Sequence, residues 1–267
     1  MELTIDGVRF DVLAEGSGPA IVLLHGFPLA KESWDAQARM LRERARVVRF
    51  DLRGLGRSSV PPGPYLMETV ASDVAGVLDA LGIHSAVIAG HSLGGYVAFA
   101  FFRMFAERCR GLGIVCSRAS ADDPATAAAR LALADRAEKE GIAPVLDAFV
   151  PRYFAPEVYE RRPELVARAR TMAGATDPRG AAAMLRGMAV RVPSSDLFDE
   201  IGVPVSVVAG TKDAVVGPDE MRAIADGIAG ASFHRLDCGH SPGWEMPDEL
   251  GLVLAALLDA ASARASS

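Results

Sequence analysis

The sequence contains no long hydrophobic run, although half of its 267 residues are hydrophobic. A membrane-spanning helix needs roughly 18 or more consecutive apolar residues, and no stretch of this chain reaches that length. The first ten residues alternate polar and apolar side chains, which differs from the apolar core of a signal peptide. We therefore expect a protein with a large hydrophobic core and no membrane partner.

Basic residues are outnumbered by acidic ones, 28 to 34, and cysteine is scarce. The net charge is −6 at pH 7, and the arginines of segment 39–46 are typical of a solvated helix face. We therefore expect no nucleic-acid partner. The three cysteines, Cys109, Cys116 and Cys238, are an odd number without C-x-x-C spacing. This pattern predicts reduced thiols and a cytoplasmic location.

Motifs for metal and nucleotide chemistry are missing as well. The sequence contains no H-E-x-x-H, no C-x-x-C and no Walker A motif. Segment 54–56, Gly-Leu-Gly, lacks the third glycine and the spacing of a dinucleotide-binding loop. We expect neither a metal ion nor a cofactor.

Short apolar runs alternate with helical patterns along most of the chain. The runs at residues 20–24, 46–50, 86–90, 111–117 and 203–210 lack a polar alternation. Such runs are typical of parallel strands covered on both faces. The helical patterns between them predict right-handed crossovers, so we expect an α/β fold with a mostly parallel central sheet flanked by helices.

This alternation is interrupted between residues 118 and 195, where no convincing strand is found. Prolines punctuate the segment, and apolar stripes predict helices in it. The predicted helices cover residues 131–140, 143–150, 164–172 and 179–188. We expect a core formed by residues 1–117 and 196–267, with residues 118–195 as a helical insertion.

Segment 86–98 combines a strand pattern, a Gly-x-Ser-x-Gly turn and a helical pattern. A tight strand-to-helix turn leaves no room for side chains on its flanks, which explains Gly90 and Gly94 around Ser92. The following helix directs backbone N–H groups toward the serine. This context favours Ser92 as a nucleophile, and the alternative is a serine that only caps the helix.

Asp213 and His240 follow later predicted strands, in the chain order Ser-Asp-His. The carboxyl ends of parallel strands meet at one edge of a sheet, where ligands bind. A serine nucleophile needs a base within hydrogen-bond reach, and the base needs an acceptor that fixes its tautomer. We predict Ser92 as nucleophile, His240 as base and Asp213 as acid, with Asp237 as the main rival acid.

The other histidines are predicted to be structural. His84 and His234 lie before and inside strands, and His25 is expected to brace its own loop. His91 is adjacent to Ser92, but neighbouring side chains diverge at such a turn. We therefore assign no catalytic role to these four.

Acyl-transfer chemistry also needs two donors for the oxyanion. The backbone N–H of Leu93 is one candidate, and the loop after the 20–24 strand supplies the second through Phe27. Gly26 allows a close backbone approach there, whereas Pro28 has no N–H to donate. The candidate substrate-pocket residues are Trp34, Phe149, Phe154, Met188 and Trp244.

Five motifs together resemble the α/β-hydrolase superfamily. They are the segments 25–28 (His-Gly-Phe-Pro), 51–58 (Asp-Leu-Arg-Gly-Leu-Gly-Arg-Ser), 90–95 (Gly-His-Ser-Leu-Gly-Gly), 210–213 (Gly-Thr-Lys-Asp) and 239–240 (Gly-His). The resemblance covers nearly the whole chain. Within the superfamily, the sequence is similar to bacterial serine esterases and to the 3-oxoadipate enol-lactonase group, although enol-lactonases often lack this form of the His-Gly-Phe-Pro loop.

The resemblance implies the α/β-hydrolase fold, with the helical insertion as a cap over the active site. It implies the same triad, Ser92, His240 and Asp213, with Phe27 and Leu93 N–H groups as the oxyanion hole and no cofactor. The implied substrate is a small ester or lactone. The sequence leaves the oligomeric state open, a homo-oligomer included.

Several other reactions occur on this fold. Dehalogenases and epoxide hydrolases use an aspartate at the nucleophile position, so Ser92 argues against both. C–C bond hydrolases and cofactor-free haloperoxidases or perhydrolases share the triad and stay open as alternatives. A ligand-binding protein on a hydrolase scaffold is a further alternative, because fold alone does not determine function.

Overall fold

The computed structural model describes residues 1–265 and contains one eight-stranded sheet, in the order β1-β2-β4-β3-β5-β6-β7-β8. The strands are β1 (Glu2–Ile5), β2 (Val8–Glu15), β3 (Ala20–Leu24), β4 (Arg46–Phe50), β5 (Ala86–His91), β6 (Cys109–Val115), β7 (Val205–Gly210) and β8 (Ser232–Leu236). Strands β1 and β2 form an antiparallel hairpin, and β2 pairs antiparallel with β4. All other pairings are parallel.

The helices of the described residues connect and cover these strands. They are α1 (Asp35–Leu41), α2 (Met67–Ala80), α3 (Leu93–Phe105), α4 (Pro124–Glu140), α5 (Ala143–Phe149), α6 (Pro156–Arg161), α7 (Pro163–Gly174), α8 (Pro178–Ala189), α9 (Pro218–Gly227), α10 (Pro242–Glu245) and α11 (Pro247–Ala265). The expected α/β class with a mostly parallel sheet is confirmed.

The sheet is covered on both faces, as its unbroken apolar strands require. Leu41 of α1 and Leu254 of α11 pack with Ile21 and Val87 on one face. Helices α2, α3 and α9 pack on the other face in the larger core cluster. The carboxyl ends of the parallel strands therefore remain at one open edge, where the loops that carry the candidate site residues begin.

The helical insertion contains α4 to α8, which lie between β6 and β7. Helices α4 and α8 pack closely through small side chains, among them the fully buried Ala134 and Ala181. Within residues 1–265, no helix combines the length and the apolar character that a membrane crossing would require.

Two insertion helices differ from the sequence-based prediction. Helix α4 starts at Pro124 rather than residue 131, because the Asp123 side chain accepts hydrogen bonds from the N–H groups of Ala125 and Thr126 at 2.9 Å. An N-cap of this kind satisfies donors that an apolar-stripe analysis does not consider. Helix α6 was not predicted, because its six residues are too few to show a helical period.

Candidate active site

Ser92 lies in the tight turn between β5 and α3, with φ 51° and ψ −111°. A positive φ at a residue with a side chain is strained, and such strain is concentrated at functional sites. A Cβ on Gly90 would lie 2.0 Å from the carbonyl oxygen of Gly94, so the turn requires glycine there. Ser92 occupies the N-cap position of α3 but its side chain makes no capping hydrogen bond. The alternative of a purely capping serine is therefore wrong.

The turn is held from the neighbouring strand. The Ser92 N–H donates to the carbonyl of Val115 at the end of β6, at 2.9 Å. Two residues further, the Ser117 hydroxyl donates to the Ser92 carbonyl at 2.7 Å. Both backbone polar groups of the serine are thus fixed, which immobilises its Cα and limits where the hydroxyl can point.

Asp213, in the loop after β7, is hydrogen-bonded to His240, in the loop after β8. The His240 Nδ1 donates to Asp213 Oδ2 at 2.8 Å, and the two side chains are 3% and 0% exposed. Asp213 Oδ1 accepts from the N–H groups of Val215 and Val216 at 2.7 and 2.9 Å. Because Nδ1 carries the shared proton, Nε2 of His240 is left as an acceptor.

The electrostatics of Asp213 favour its ionised form. Burial alone would raise the pKa of this carboxyl, but the adjacent His240 and the two backbone N–H donors hold its pKa below the ordinary value. Asp237, the rival acid, lies in a different environment from Asp213. Its side chain is 73% exposed and forms an ion pair with Lys212 at 3.0 Å rather than a hydrogen bond with His240.

His91 contacts the other side of the His240 loop. Its Nε2 donates to the His240 carbonyl at 2.6 Å, and the two rings are 4.9 Å apart between centroids. Burial, together with the neighbouring His240, lowers the pKa of His91 to about 3, so its ring is neutral at pH 7. His91 thus supports the candidate base through its backbone.

His25 braces the loop that follows β3, as its sequence position predicts. Its Nδ1 donates to the Gly26 carbonyl and its Nε2 accepts from the Leu52 N–H, both at 3.0 Å. The Leu52 donor fixes the neutral tautomer, and burial lowers the pKa of the ring. The loop after β4 is bound to the loop after β3 in a second way, since the buried Asp51 carboxylate accepts from the Lys31 N–H at 2.8 Å.

Phe27, the candidate oxyanion residue after β3, is held by the helical insertion. Its carbonyl accepts from the Tyr153 hydroxyl at 2.9 Å, and the next carbonyl, that of Pro28, accepts from Thr176 Oγ1 at 3.0 Å. A Cβ on Gly26 would lie 2.7 Å from His91 Nδ1, so only glycine permits this close approach.

Leu93 is the first residue of α3. N–H groups in the first turn of a helix have no intrahelical acceptor and lie at the positive end of the helix dipole. The structure therefore places one of the two candidate donors at a helix start and the other in a loop tied to the insertion.

Glu245 connects the His240 loop to the helical insertion. Its carboxylate accepts from the Gly239 N–H at 3.0 Å and from the Ala155 N–H at 2.9 Å. Burial raises the pKa of this carboxyl, and the hydrogen bonds oppose that effect only in part.

A cavity of about 600 Å³ lies between the insertion and the core. Its lining includes Arg118, Arg130, Arg136, Phe149, Arg152 and Val215. The volume is that of a typical small-molecule pocket. The Phe149 ring packs edge-to-face on Phe27 with centroids 5.1 Å apart, so the cavity is one ring contact away from the candidate oxyanion loop.

The predicted pocket residues occupy different environments. Phe149 lines the 600 Å³ cavity, whereas Trp34 and Trp244 line a second cavity of about 20 Å³. The Phe154 ring packs against Trp244 with centroids 5.9 Å apart. Met188 is 2% exposed and packs within the main core cluster.

The thiol of Cys116 lies beside the Asp213–His240 pair. Candidate ligand atoms of these three side chains are within 4.8 Å of one another, which is the geometry of a possible metal site. Burial raises the pKa of the thiol well above its ordinary value, which disfavours the thiolate that metal binding requires. The histidine and the carboxylate already satisfy each other, and the expectation of no metal stays a prediction.

Four supporting residues were missed by sequence reasoning: Ser117, Tyr153, Thr176 and Glu245. Tyr153, Thr176 and Glu245 each bind a residue far away along the chain, and Tyr153 and Phe27, for example, are separated by 126 residues. No local spacing encodes such a contact. Glu245 carried a weak signal, because a carboxylate close behind a predicted catalytic histidine is a candidate to order that loop.

Many solved structures match almost the whole chain, and two of them are described here. A thermophilic esterase from Thermogutta terrifontis, solved with malate bound, has a TM-score of 0.95 and 34% identity, and the match covers 98% of this chain and 99% of that one. The enol-lactonase from Burkholderia xenovorans LB400 has a TM-score of 0.91 and 29% identity, with 97% and 100% covered.

Curated relatives include enol-lactonases and epoxide hydrolases. The 3-oxoadipate enol-lactonase 2 of Acinetobacter baylyi is 24% identical over 251 residues, which are 94% of this chain and 92% of the relative. Epoxide hydrolase 2 of Siraitia grosvenorii is 35% identical over 113 residues, or 41% of this chain and 36% of that protein. The sequence profile of the α/β-hydrolase fold matches residues 19–247. The chain therefore belongs to the α/β-hydrolase family and is a hydrolase of that fold.

Proposed function

We propose that this hydrolase cleaves a carboxylic ester or lactone, with Ser92 as nucleophile, His240 as base and Asp213 as acid. The observation that carries the proposal is the 2.8 Å hydrogen bond from His240 Nδ1 to the buried Asp213, which leaves Nε2 as a proton acceptor. Ser92, in its strained turn, is the residue that we assign as the proton donor to His240 Nε2, because Ser92 and His240 both follow strands whose carboxyl ends lie at the same edge of the sheet.

The first half of the reaction forms an acyl-enzyme. His240 Nε2 takes the Ser92 proton while Oγ attacks the substrate carbonyl carbon. The N–H groups of Phe27 and Leu93 bind the resulting oxyanion. Collapse of this intermediate breaks the bond to the alcohol oxygen, which leaves with the proton carried by His240.

The second half returns the enzyme to its starting state. His240 removes a proton from water, the hydroxide attacks the acyl carbonyl, and the oxyanion is bound by the same two donors. When the bond to Ser92 Oγ breaks, His240 returns the proton to the serine and the carboxylic acid is released. Throughout the cycle, the ionised Asp213 stabilises the imidazolium form of His240.

Epoxide opening is less well supported, in spite of the partial matches to epoxide hydrolases. A serine stands at the nucleophile position of this chain, whereas those enzymes use an aspartate there. The ester or lactone reaction is also in keeping with the names of the relatives that match over the full chain.

Replacement of Ser92 tests the mechanism. We expect Ser92→Ala to lower kcat/KM for 4-nitrophenyl butyrate by about 10⁴-fold or more, because removing a nucleophile that acts with its base abolishes the covalent route. A fluorophosphonate probe should label the unchanged protein at Ser92, as mass spectrometry of the peptides would show.

Ser72→Ala is the matched control, since Ser72 lies on the exposed surface of α2 and should leave both rate and labelling unchanged. Full activity in the Ser92 variant would contradict the mechanism. Absence of labelling and of turnover in the unchanged protein would favour a non-catalytic binding protein instead.

We further propose a cytoplasmic location. Cys109, Cys116 and Cys238 are all buried and none forms a disulfide, as expected of thiols in a reducing compartment. Fractionation of the native host, followed by detection with an antibody, would test this.

A further inference from the structure

Residues 153–155 of the insertion contact both the loop that contains Phe27 and the loop that contains His240, and we call them the bridging segment. They lie in the connection between α5 and α6 and are almost completely buried, with Tyr153 2%, Phe154 3% and Ala155 1% exposed. The polar groups of a buried connection need partners inside the protein. The partners of the bridging segment therefore show what it holds in place.

The first residue of the bridging segment binds the loop after β3. The Tyr153 hydroxyl donates to the Phe27 carbonyl at 2.9 Å. Burial raises the pKa of this hydroxyl well above its ordinary value, so it keeps the proton that it donates. The hydrogen bond therefore fixes the residue whose own N–H is proposed to bind the oxyanion.

The last residue of the bridging segment binds the loop that contains His240, through Glu245. The Glu245 carboxylate accepts from the Ala155 N–H at 2.9 Å and from the Gly239 N–H at 3.0 Å. The two backbones are also in direct contact, since a Cβ on Gly239 would lie 2.3 Å from the Ala155 nitrogen. Hydrogen bonds to a charged acceptor are short and strong. Glu245 thus holds Gly239, and with it the adjacent His240, at a fixed distance from the bridging segment.

The middle residue of the bridging segment stiffens the connection between the two ends. The Phe154 ring packs edge-on against the Tyr153 ring, with centroids 6.3 Å apart, and against the Trp244 ring at 5.9 Å. Trp244 directly precedes Glu245, and its Nε1 donates to the Ser33 carbonyl at 2.9 Å. Close-packed rings resist deformation, so a shift at one end of the segment is transmitted to the other.

We propose that the bridging segment and Glu245 set the distance between His240 and the oxyanion donor of Phe27. The inference rests on the proposed ester or lactone hydrolysis, in which the base and the oxyanion hole act on one carbonyl group at the same time. The reacting groups remain those of the strand-end loops. Tyr153 and Glu245 are positioning residues, because they act through Phe27 and Gly239.

Thr176 provides the comparison that separates a bridge from a brace. Its Oγ1 donates to the Pro28 carbonyl at 3.0 Å, so it binds the same loop as Tyr153. Thr176 lies in the connection between α7 and α8, however, and does not belong to the bridging segment. We therefore expect Tyr153, but not Thr176, to be coupled to Glu245.

A double-mutant cycle tests this coupling. Tyr153→Phe and Glu245→Gln are close to isosteric, and each breaks one end of the link, because phenylalanine has no hydroxyl and glutamine offers one acceptor oxygen to two donors. Each substitution alone should lower kcat for 4-nitrophenyl butyrate by about tenfold and change KM by less than about twofold, since misalignment affects the reaction more than binding. In the Glu245→Gln background, Tyr153→Phe should lower kcat by less than about twofold, because the link is already broken.

Two further variants serve as controls. Thr176→Val should lower kcat by the same factor in the unchanged enzyme and in Glu245→Gln, because independent sites are additive. Glu245→Asp keeps the charge, but its carboxylate is one methylene group closer to the main chain and cannot span both donors, so kcat should fall as in Glu245→Gln. Circular dichroism and urea denaturation would show which variants are folded, and Glu245→Asp replaces Glu245→Gln in the cycle if the latter is not.

The outcomes distinguish this inference from the proposed function. If the unchanged enzyme does not hydrolyse the ester, ester hydrolysis is wrong and the inference fails with it. In an active enzyme, non-additivity confined to Tyr153 and Glu245 would support the bridge. Equal effects of Tyr153→Phe in both backgrounds, losses in KM alone, full activity of Glu245→Asp, or equally strong coupling of Thr176 to Glu245 would each overturn it and leave the reaction intact.

Discussion

The loops at the strand ends and the helical insertion are built in different ways. In the strand-end loops, residues of the candidate site are held by buried hydrogen bonds, as in the turn of Ser92 and the Asp213–His240 pair. The insertion consists of helices α4 to α8, of which α4 and α8 pack through small side chains, and several of its ion pairs are partly exposed, such as Arg186 with Glu138. Exposed ion pairs of this kind contribute little to stability.

This difference separates two tasks. Fixed loops hold reacting groups in one geometry, which proximity and orientation demand. The insertion residues that line the cavity, among them Phe149 and Arg152, belong neither to the turn of Ser92 nor to the Asp213–His240 pair, so they can vary without replacement of a reacting group. We infer that chemistry depends on the strand ends and substrate choice on the insertion, and three further experiments examine that division.

The largest effect is expected for Asp213→Asn. An asparagine can keep its oxygen on the N–H groups of Val215 and Val216, and its NH₂ group would then face His240 Nδ1. The histidine would be forced to carry its proton on Nε2 and could no longer accept the Ser92 proton, so kcat/KM should fall by about 10³- to 10⁴-fold.

Ester hydrolysis by stopped-flow or plate assay would measure this loss, with circular dichroism to show that the fold is retained. Asp237→Asn is the control, because Asp237 is exposed and pairs with Lys212. A severe loss in the Asp237 variant together with a mild one at Asp213 would reverse the assignment of the acid.

Two glycine-to-alanine substitutions, one in each region, compare how well the turn and the insertion accommodate an added Cβ. Gly90→Ala in the turn would place its Cβ 2.0 Å from a backbone carbonyl oxygen, and we expect the free energy of unfolding to fall by about 3 kcal/mol or more. Gly174→Ala at the end of α7 meets only Leu146 Cδ1, at 3.7 Å. It should be neutral or stabilise by up to about 1 kcal/mol, since alanine favours the helix.

Urea denaturation of the two variants would measure both values. Similar destabilisation at the two positions would mean that the end of α7 is as tightly constrained as the turn. The proposed division between the regions would then be wrong, whatever the activity of the variants.

The smallest effect concerns pH and the junction between the regions. Burial raises the pKa of Glu245 in the folded protein above its unfolded value, so the contribution of this residue to stability is greatest at low pH. It is lost as the pH rises from the unfolded pKa through the folded one. In Glu245→Gln this loss is absent, so the variant should gain stability relative to the unchanged protein as the pH rises above the ordinary glutamate pKa of 4.5.

Glu157→Gln provides a control of opposite sign. Its hydrogen bond with Lys212 lowers the pKa of Glu157, so the unchanged protein gains stability relative to this variant as the pH rises. Chemical denaturation at several pH values would measure both differences. A pH-independent difference for Glu245→Gln would contradict the raised pKa of the buried carboxyl.

The parts of the site that sequence could predict are those that follow strands directly. Ser92, Asp213 and His240 each come within a few residues of the end of a strand, and the sheet brings such positions to one edge. The fold class followed from the same runs. The roles of these three residues can be predicted without knowing how the distant helices pack.

Contacts between the insertion and the loops could not be predicted. Tyr153 and Thr176 bind the carbonyls of Phe27 and Pro28 from the connections between insertion helices, where no periodic pattern exists to assign a side chain. The arginine-rich lining of the cavity could not be predicted from the sequence either. Arg118, Arg130 and Arg136 pair with acids like ordinary surface residues, and only the three-dimensional packing brings them beside Arg152.

The hydrogen bonds from Tyr153 and Thr176 have a consequence for engineering. They hold two successive carbonyls of the loop that contains Phe27, so the insertion is part of the scaffold that shapes this loop. A chimaera that replaces residues 118–195 with the corresponding segment of another hydrolase would exchange substrate preference. It would also remove both donors, and turnover would survive only where the incoming segment supplies a hydroxyl to each carbonyl.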